Sequence, residues 1–417
     1  MGDGAGTLAG ARILFAVSAL GLGHVQRSLP LLRHLLASGT RVEVVSHGRA
    51  LEALRIELDG AGVERFHDLP DYPPLQRGRG LLHYLQYLPD LLVTWWRARA
   101  EAALLRTLHE REPFDAVIAD GRIGFVHEAL PSFFLAHQLR ILVPPVLRPL
   151  QRLSDRGQLA LLRRYTRVFV QDLPDPNASL AGALAHNELA DVVKPVYIGP
   201  LSTLGPGGGA EAHTLVFVAG GFIEAERRRV VREVGRLVER MNARVGQGGA
   251  GPPRVAFLLG GGAWNPGAFP AEAELYPLAL GEERRTLMAG ARLWVGRTGY
   301  TTVMDVWAAG ARAVLVPTPG MTEQRYLARR VAGWGHHPAP GGEADLVEPI
   351  LRALAGAVYL DARQLPAPLR AWTPERSVAC FAEALGRELA AHGRTPPGRD
   401  HAPRSGLTTS SRPLPRG

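Results

Sequence analysis

Residues 12–46 read RILFAVSALGLGHVQRSLPLLRHLLASGTRVEVVS, and few local folds satisfy that order of residue types. Arg12–Ser18 is a nearly unbroken aliphatic run, the pattern of a strand buried on both faces. A glycine-rich loop, ALGLG, follows it. From Val25 to Ala37, Leu29, Leu32, Leu35 and Leu36 recur at helical spacing. Gly39 stands where a helix end favours glycine, and Arg41–Ser46 resumes a strand. Strand, glycine turn, helix and strand make a βαβ unit with a right-handed crossover. A chain that begins this way is committed to a parallel sheet covered by helices.

The alternation continues. A helical stretch from about Leu91 to Glu110 precedes the strand Phe114–Asp120, and Pro131–Ala136 and Arg167–Gln171 read as short strands. Ile198–Gly209, IGPLSTLGPGGG, breaks the pattern as a turn-rich linker. Then it restarts with strands at Thr214–Ala219, Arg254–Leu259, Ala291–Val295 and Ala313–Val316. Helices are expected at Glu224–Asn242, Thr301–Ala309 and Ser377–Ala391. The fold class is therefore α/β, with two Rossmann-like, doubly wound domains at 11–200 and 201–385. Two such domains face one another across a cleft at the carboxyl ends of their strands, where ligands bind.

Composition removes other classes. Of 417 residues, 46% are hydrophobic and 21% charged, the balance of a soluble globular chain. A single cysteine, Cys380, rules out an intramolecular disulfide framework. No apolar run approaches the roughly 20 residues of a membrane span, and MGDGAGTLAG lacks the basic start and apolar core of a signal peptide. A cytoplasmic location is expected. The net charge of +9 is not a nucleic-acid signature, because residues 393–417 carry five Arg against one Asp in a Pro/Gly/Ser/Thr-rich tail expected to be disordered. Lys194 is the only lysine among 48 basic residues, which fits a coding bias.

Three loops carry chemistry. In SALGLGHVQRS, Gly21 and Gly23 let a ligand approach the backbone, and the helix behind them favours negative charge. Gln26 stands where a dinucleotide fingerprint needs its third glycine, so a nicotinamide oxidoreductase is a poor reading. His24 opens the helix at the cleft mouth, as a cap or as a general base. In RTGYTTVMD, Arg297, the Gly299 turn, Thr301 and Thr302 surround the start of a helix with donors suited to a diphosphate. Asp305 lies one turn beyond Thr301, placed for a ribose diol. In VPTPGMTEQRY, Gly320 turns the chain into a helix bearing Glu323 and Gln324, polar side chains suited to sugar hydroxyls. Each stretch also reads as a plain polar helix start; their emergence at one cleft edge favours a site.

On GLGH at 21–24, RTGYTTVMD at 297–305 and VPTPGMTEQR at 316–325, the chain resembles a GT-B glycosyltransferase of family 28, the type of the peptidoglycan N-acetylglucosaminyltransferase MurG. The resemblance implies a UDP-sugar held by the C-terminal domain and an acceptor held by the N-terminal domain, with no cofactor and no essential metal. It implies an inverting transfer with His24 as base and Asp120 as the weaker candidate. It places Arg297, Thr298, Gly299, Thr301, Gly220 and Gly221 on the diphosphate side, Asp305 at the ribose, and Gly320, Glu323 and Gln324 toward the sugar. Gly21, Gly23 and His137 fall on the acceptor side. Arg325 departs from the second Gln of the family pattern, which bears on the donor sugar, and Phe222 and Ile223 replace small polar residues after Gly221.

Residues 72–106 interleave Leu, Tyr, Trp95 and Trp96 with Arg77, Arg79, Arg97, Arg99 and Arg106. That mixture suits a membrane surface at its inner face, a lipid-linked acceptor or a hydrophobic small molecule, and equally an amphipathic helix packed on the sheet. Two further readings keep the cleft. One is a UDP-sugar epimerase or hydrolase; the other is a nucleotide-sugar-binding protein without turnover.

Overall fold

A computed structural model describes residues 8–73, 87–207, 213–220, 224–245, 254–336 (except 263, 266 and 268), 338 and 344–393. Gly221, Arg77, Arg79 and residues 394–417 of the tail lie outside them.

The first unit alternates strands and helices: β1 (Arg12–Val17), α1 (Leu22–Ala37), β2 (Arg41–Ser46), α2 (Gly48–Glu57), β3 (Arg65–Asp68), α3 (Tyr87–Arg111), β4 (Ala116–Asp120), β5 (Ser132–Ala136), α4 (Gln151–Leu162), β6 (Arg167–Val170), α5 (Glu188–Val193) and β7 (Val196–Tyr197). Its seven strands form one sheet in the order β3-β2-β1-β4-β5-β6-β7, and every pairing is parallel. The interior strands β1, β4 and β5 are buried along their whole length, as their aliphatic runs require.

The second unit runs β8 (His213–Val218), α6 (Glu224–Val245), β9 (Val255–Leu258), β10 (Glu274–Tyr276), α7 (Gly281–Ala289), β11 (Ala291–Arg297), α8 (Tyr300–Ala309), β12 (Arg312–Val316), α9 (Thr322–Ala332), α10 (Ala344–Ala353) and β13 (Val358–Asp361). The order is β10-β9-β8-β11-β12-β13, parallel except for the antiparallel edge strand β13. Both sheets are doubly wound, with a switch in winding direction between β1 and β4 and between β8 and β11. A short helix, α11 (Ala367–Arg370), leads to the last one, α12 (Pro374–Ala391).

One boundary differs from the sequence reading. Helix α12 falls in the span read as the second domain, yet it packs on the first. Phe381, Leu385 and Leu389 share a core with Ile13, Phe15, Leu29 and Phe169, and Phe381 meets Phe169 edge-on at 5.4 Å. An amphipathic pattern says that a helix buries one face. It does not say against which sheet.

Candidate active site

Strand pairing brings the site together. Val17 pairs with Asp120 and Asp120 with Leu135, so the ends of β1, β4 and β5 lie side by side. The loop leading to His24, Asp120 itself and His137 thereby meet at one switch point. In the second sheet Gly296 pairs with Val218 and Arg297 with Val316, which groups the loops after β8, β11 and β12. The two groups face each other across a cleft of about 270 Å³. Gly21 has φ of +99°, a conformation glycine adopts without strain. Gly23 lies where a Cβ would come within 3.0 Å of the Thr301 hydroxyl, and that hydroxyl donates to the Gly23 carbonyl at 3.3 Å. The starts of α1 and α8 therefore touch across the cleft.

Asp120 organises the first-domain side. Its carboxylate is fully buried. It accepts from Arg27 through Nε at 2.9 Å and again through Nη2, and from the Ser28 hydroxyl at 2.9 Å. Burial pushes this carboxyl up, but Arg27 and then His24 outweigh it and hold the group well below its ordinary range. His24 Nδ1 lies 3.1 Å from Asp120 Oδ1 and 2.9 Å from Arg27 Nη2. Gly121, with φ of +75°, makes room for this ring, since a Cβ there would come within 2.9 Å of His24 Cε1. Arg27 also donates to His137 Nδ1 at 3.0 Å. His137 stacks on Tyr300 of the second domain, 4.8 Å between centroids, and its Nε2 lies 3.0 Å from Glu323 Oε1.

On the second-domain side, Arg297 is buried and donates to the carbonyls of Glu226 at 3.1 Å and Pro317 at 3.4 Å. Burial lowers its guanidinium to about 10, which leaves it cationic at neutral pH. The buried Thr298 hydroxyl has no partner. Helix α8 has Gly299 as its N-cap and no side chain capping it, so its first amides and the side chains of Thr301 and Thr302 are presented to the cleft. Gln324 accepts from the Thr318 amide at 2.8 Å and so braces the loop that Gly320, with φ of +86°, turns.

The cleft wall contains Gly21, Gly23, His24, His137, Gly220, Arg297, Gly299, Thr301, Asp305, Glu323 and Gln324. Asp120 and Thr298 are buried behind that wall, and Gly320 is exposed outside it. Asp305 is arranged differently from the sequence expectation. It is buried, and its two oxygens accept from Ser202 at 2.6 Å and Arg284 at 2.6 Å. A carboxylate placed at the ribose by helical spacing is thus first a brace between α8, the linker and α7. Sequence reasoning missed Arg27, Arg49, Arg227 and Arg284, all of which line the cleft. Arg27 carried one legible signal, its place one turn after His24. The others sit in helices that gave none. With Arg297, five guanidinium groups line the cleft; Arg27 is paired with Asp120 and Arg284 with Asp305, and Arg297 lies 3.5 Å from Glu226.

No family model matches the chain, and no curated protein does. Solved structures do. The calicheamicin glycosyltransferase CalG4 superposes with a TM-score of 0.55 at 17% identity, over 93% of this chain and all of that one. The glycotransferase of kitacinnamycin gives 0.54 at 15%, over 92% and 99%. The spinosyn forosaminyltransferase SpnP gives 0.52 at 16%, over 91% and 99%. Two facing doubly wound sheets, a cleft at their carboxyl ends and end-to-end superposition on these enzymes establish that this chain has the GT-B fold.

Proposed function

We propose that the protein is a glycosyltransferase. It moves a sugar from a nucleoside diphosphate sugar, UDP by the resemblance of its loops, to an acceptor hydroxyl, with inversion and without a metal. The observation that carries this reading is the His24–Asp120 pair, 3.1 Å apart, with His24 in the wall of an arginine-lined cleft that also holds the uncapped start of α8. In this mechanism His24 donates a hydrogen bond from its Nδ1–H to Asp120, which leaves the Nε2 lone pair as the base. Nε2 takes the acceptor proton as that oxygen attacks the anomeric carbon, and the bond to the diphosphate breaks on the opposite face. General-base help is worth about 10²–10⁴-fold. The larger share comes from the α8 amides and Arg297, which stabilise the charge of the departing diphosphate without reorganising.

Asp120 is a positioning group in this scheme and not an alternative base, because its oxygens are turned to Arg27, Ser28 and His24. The acceptor side is the first domain. On α3, Leu91, Leu92, Trp95 and Trp96 are exposed, with Arg99 over the Trp95 ring at 4.8 Å. Among the described residues no helix is long and apolar enough to cross a membrane. An exposed aromatic and basic face suits an apolar or lipid-linked acceptor, and a peripheral place at the inner membrane face.

The test is a thermal-shift panel of UDP, GDP and dTDP sugars against wild type, Arg297→Ala and His24→Ala. At least one nucleotide sugar raises the melting temperature of wild type. Arg297→Ala loses that gain, and His24→Ala keeps it while release of nucleotide diphosphate falls about 10²-fold or more. No shift with any nucleotide sugar would sink the reading.

A further inference from the structure

The loop that carries His24 is fastened where it leaves β1, by residues the mechanism does not use. The Ser18 amide donates to the Asp120 carbonyl at 2.9 Å. From another side, Asp71 Oδ2 accepts from the Ser18 hydroxyl at 2.8 Å and from the Ala19 amide. A hydroxyl both donates and accepts, and the Ser18 oxygen in turn accepts from the Leu20 amide at 3.3 Å. One carboxylate therefore closes the turn that leads to Gly21. The same serine forms part of the seat of His24. A Cβ on Gly121 would lie 3.0 Å from Ser18 Cβ and 2.9 Å from His24 Cε1, so the serine and the imidazole both crowd Gly121. Asp71 is itself held. Its Oδ1 accepts from the Tyr72 amide at 2.7 Å and lies 3.7 Å from Arg122 Nη1. Arg122 is fully buried two residues beyond Asp120. It donates to the Leu69 carbonyl at 3.1 Å, and its Nε lies 2.6 Å from Glu101 Oε1 of α3. Helix α3 rests directly on this turn, since a Cβ on Gly124 would stand 2.2 Å from the Ala98 carbonyl oxygen.

We propose that Asp71 is a positioning residue: it fixes the start of the glycine loop and so keeps the His24 ring seated against Gly121 and within reach of Asp120. That role rests on the glycosyl-transfer reading, in which His24 is the base. Asp71 is not part of the cleft wall, and its carboxylate acts through Ser18 and Ala19. Arg122 and Glu101 hold it from behind, which backs the seat of the base with the helix that exposes Trp95 and Trp96. Misplacing a catalytic group by about 1 Å costs on the order of 10²-fold in rate, so a carboxylate outside the cleft can matter as much as one within it.

The contact between the His24 Cε1 proton and the Gly121 α-protons, read as a nuclear Overhauser cross-peak in the full-length protein, tests this without donor or acceptor. It is assigned by its loss in His24→Gln. Wild type shows the cross-peak. Asp71→Ala loses it, while Arg122 keeps its Glu101 partner. Tyr72→Phe removes the hydroxyl that donates to Glu101 in the same cluster without touching the loop, and it keeps the cross-peak. A merely structural role of Asp71 lowers the melting temperature and leaves the cross-peak in place. A wild-type cross-peak in Asp71→Ala therefore overturns the proposal. So does its loss in Tyr72→Phe, which would mean that any loosening of the cluster unseats His24. Should Asp71→Ala not fold, Ser18→Ala decides. It removes the hydroxyl between Asp71 and the Leu20 amide and weakens the cross-peak, and wild-type intensity there overturns the proposal. Failure of every nucleotide sugar to bind would undo the glycosyl-transfer reading and leave this result standing.

Discussion

At Asp120 two opposing effects meet. Removing a carboxylate from water favours its neutral form, and the guanidinium of Arg27 favours the charged one. The second wins, so the folded protein keeps Asp120 ionised below its ordinary value of 3.8. A depressed carboxyl contributes stability above the unfolded value, and that contribution is lost as pH falls from about 4 toward the folded value. Asp120→Asn should therefore flatten the acid arm of stability against pH. At pH 7 it should also cost about 3–5 kcal/mol, because Arg27 is left buried without its counter-charge. Urea midpoints measured at pH 7 and pH 3 check both; an acid arm as steep as that of wild type would show that Asp120 is not the group involved. His24 and Asp120 were each legible in the sequence, one after a glycine loop and the other at a strand end. Their pairing was not, because it depends on β4 lying beside β1. Arg27 was hidden for a related reason: one turn after His24 it reads as an exposed helix charge until β4 and β5 close over it.

Helix α9 shows the same limit at the scale of an element. Its start was legible from Pro, Gly and Thr, and Leu327 and Val331 face the core as their spacing requires. The rest of the stretch reads in the sequence only as a polar helix start. In the structure Thr322 donates to the Leu142 carbonyl at 2.7 Å, the Tyr326 hydroxyl accepts from the Ala183 amide at 2.7 Å, and Arg330 donates to the Ser179 carbonyl at 2.9 Å. These residues are four apart and so share one face, and every partner is in the first domain. Aliphatic runs made β1, β4, β8 and β11 legible. The edge strands β3 (RFHD), β10 (ELY) and β13 (VYLD) are three or four residues of mixed character, below what a period can reveal. Gly182, with φ of +54°, lies under the α9 contact: a Cβ would sit 2.6 Å from the Tyr326 hydroxyl and 2.7 Å from Arg330 Nε. Gly182→Ala should push α9 off the first domain and cost about 1–3 kcal/mol. Small-angle scattering should give a larger radius of gyration than wild type with unchanged circular dichroism. An unchanged radius would mean that this face does not hold the domains closed.

For the whole molecule, the return of α12 to the first sheet means that the chain crosses between domains twice, once through 198–207 and once through 362–373. The crossings meet at Gly199. Its φ of +87° already favours glycine, and a Cβ would stand 2.3 Å from Trp372 Nε1 and 2.5 Å from the Ser377 hydroxyl. Those groups are linked, with Trp372 donating to Ser377 at 2.8 Å and Ser377 to the Pro200 carbonyl at 2.7 Å. The packing therefore fastens the outgoing linker to the start of the returning helix, and through that helix to the core that contains Phe381 and Leu385. A methyl group at 199 must displace Trp372 or the helix start, with no flexible side chain to absorb it. Gly199→Ala should cost roughly 2–4 kcal/mol, from strain at positive φ and from overpacking together. The loss should fall on the first domain, since that is where α12 is anchored. Calorimetry should show its transition moving down while nucleotide binding by the second domain persists. Gly205→Ala, in the same linker with open space around its Cβ, is the control and should melt like wild type. If the two variants melt alike, the double crossing does not fasten the domains, and closure over the cleft rests on the contacts between the facing surfaces, those of α9, Thr301–Gly23 and Tyr300–Gln171 among them.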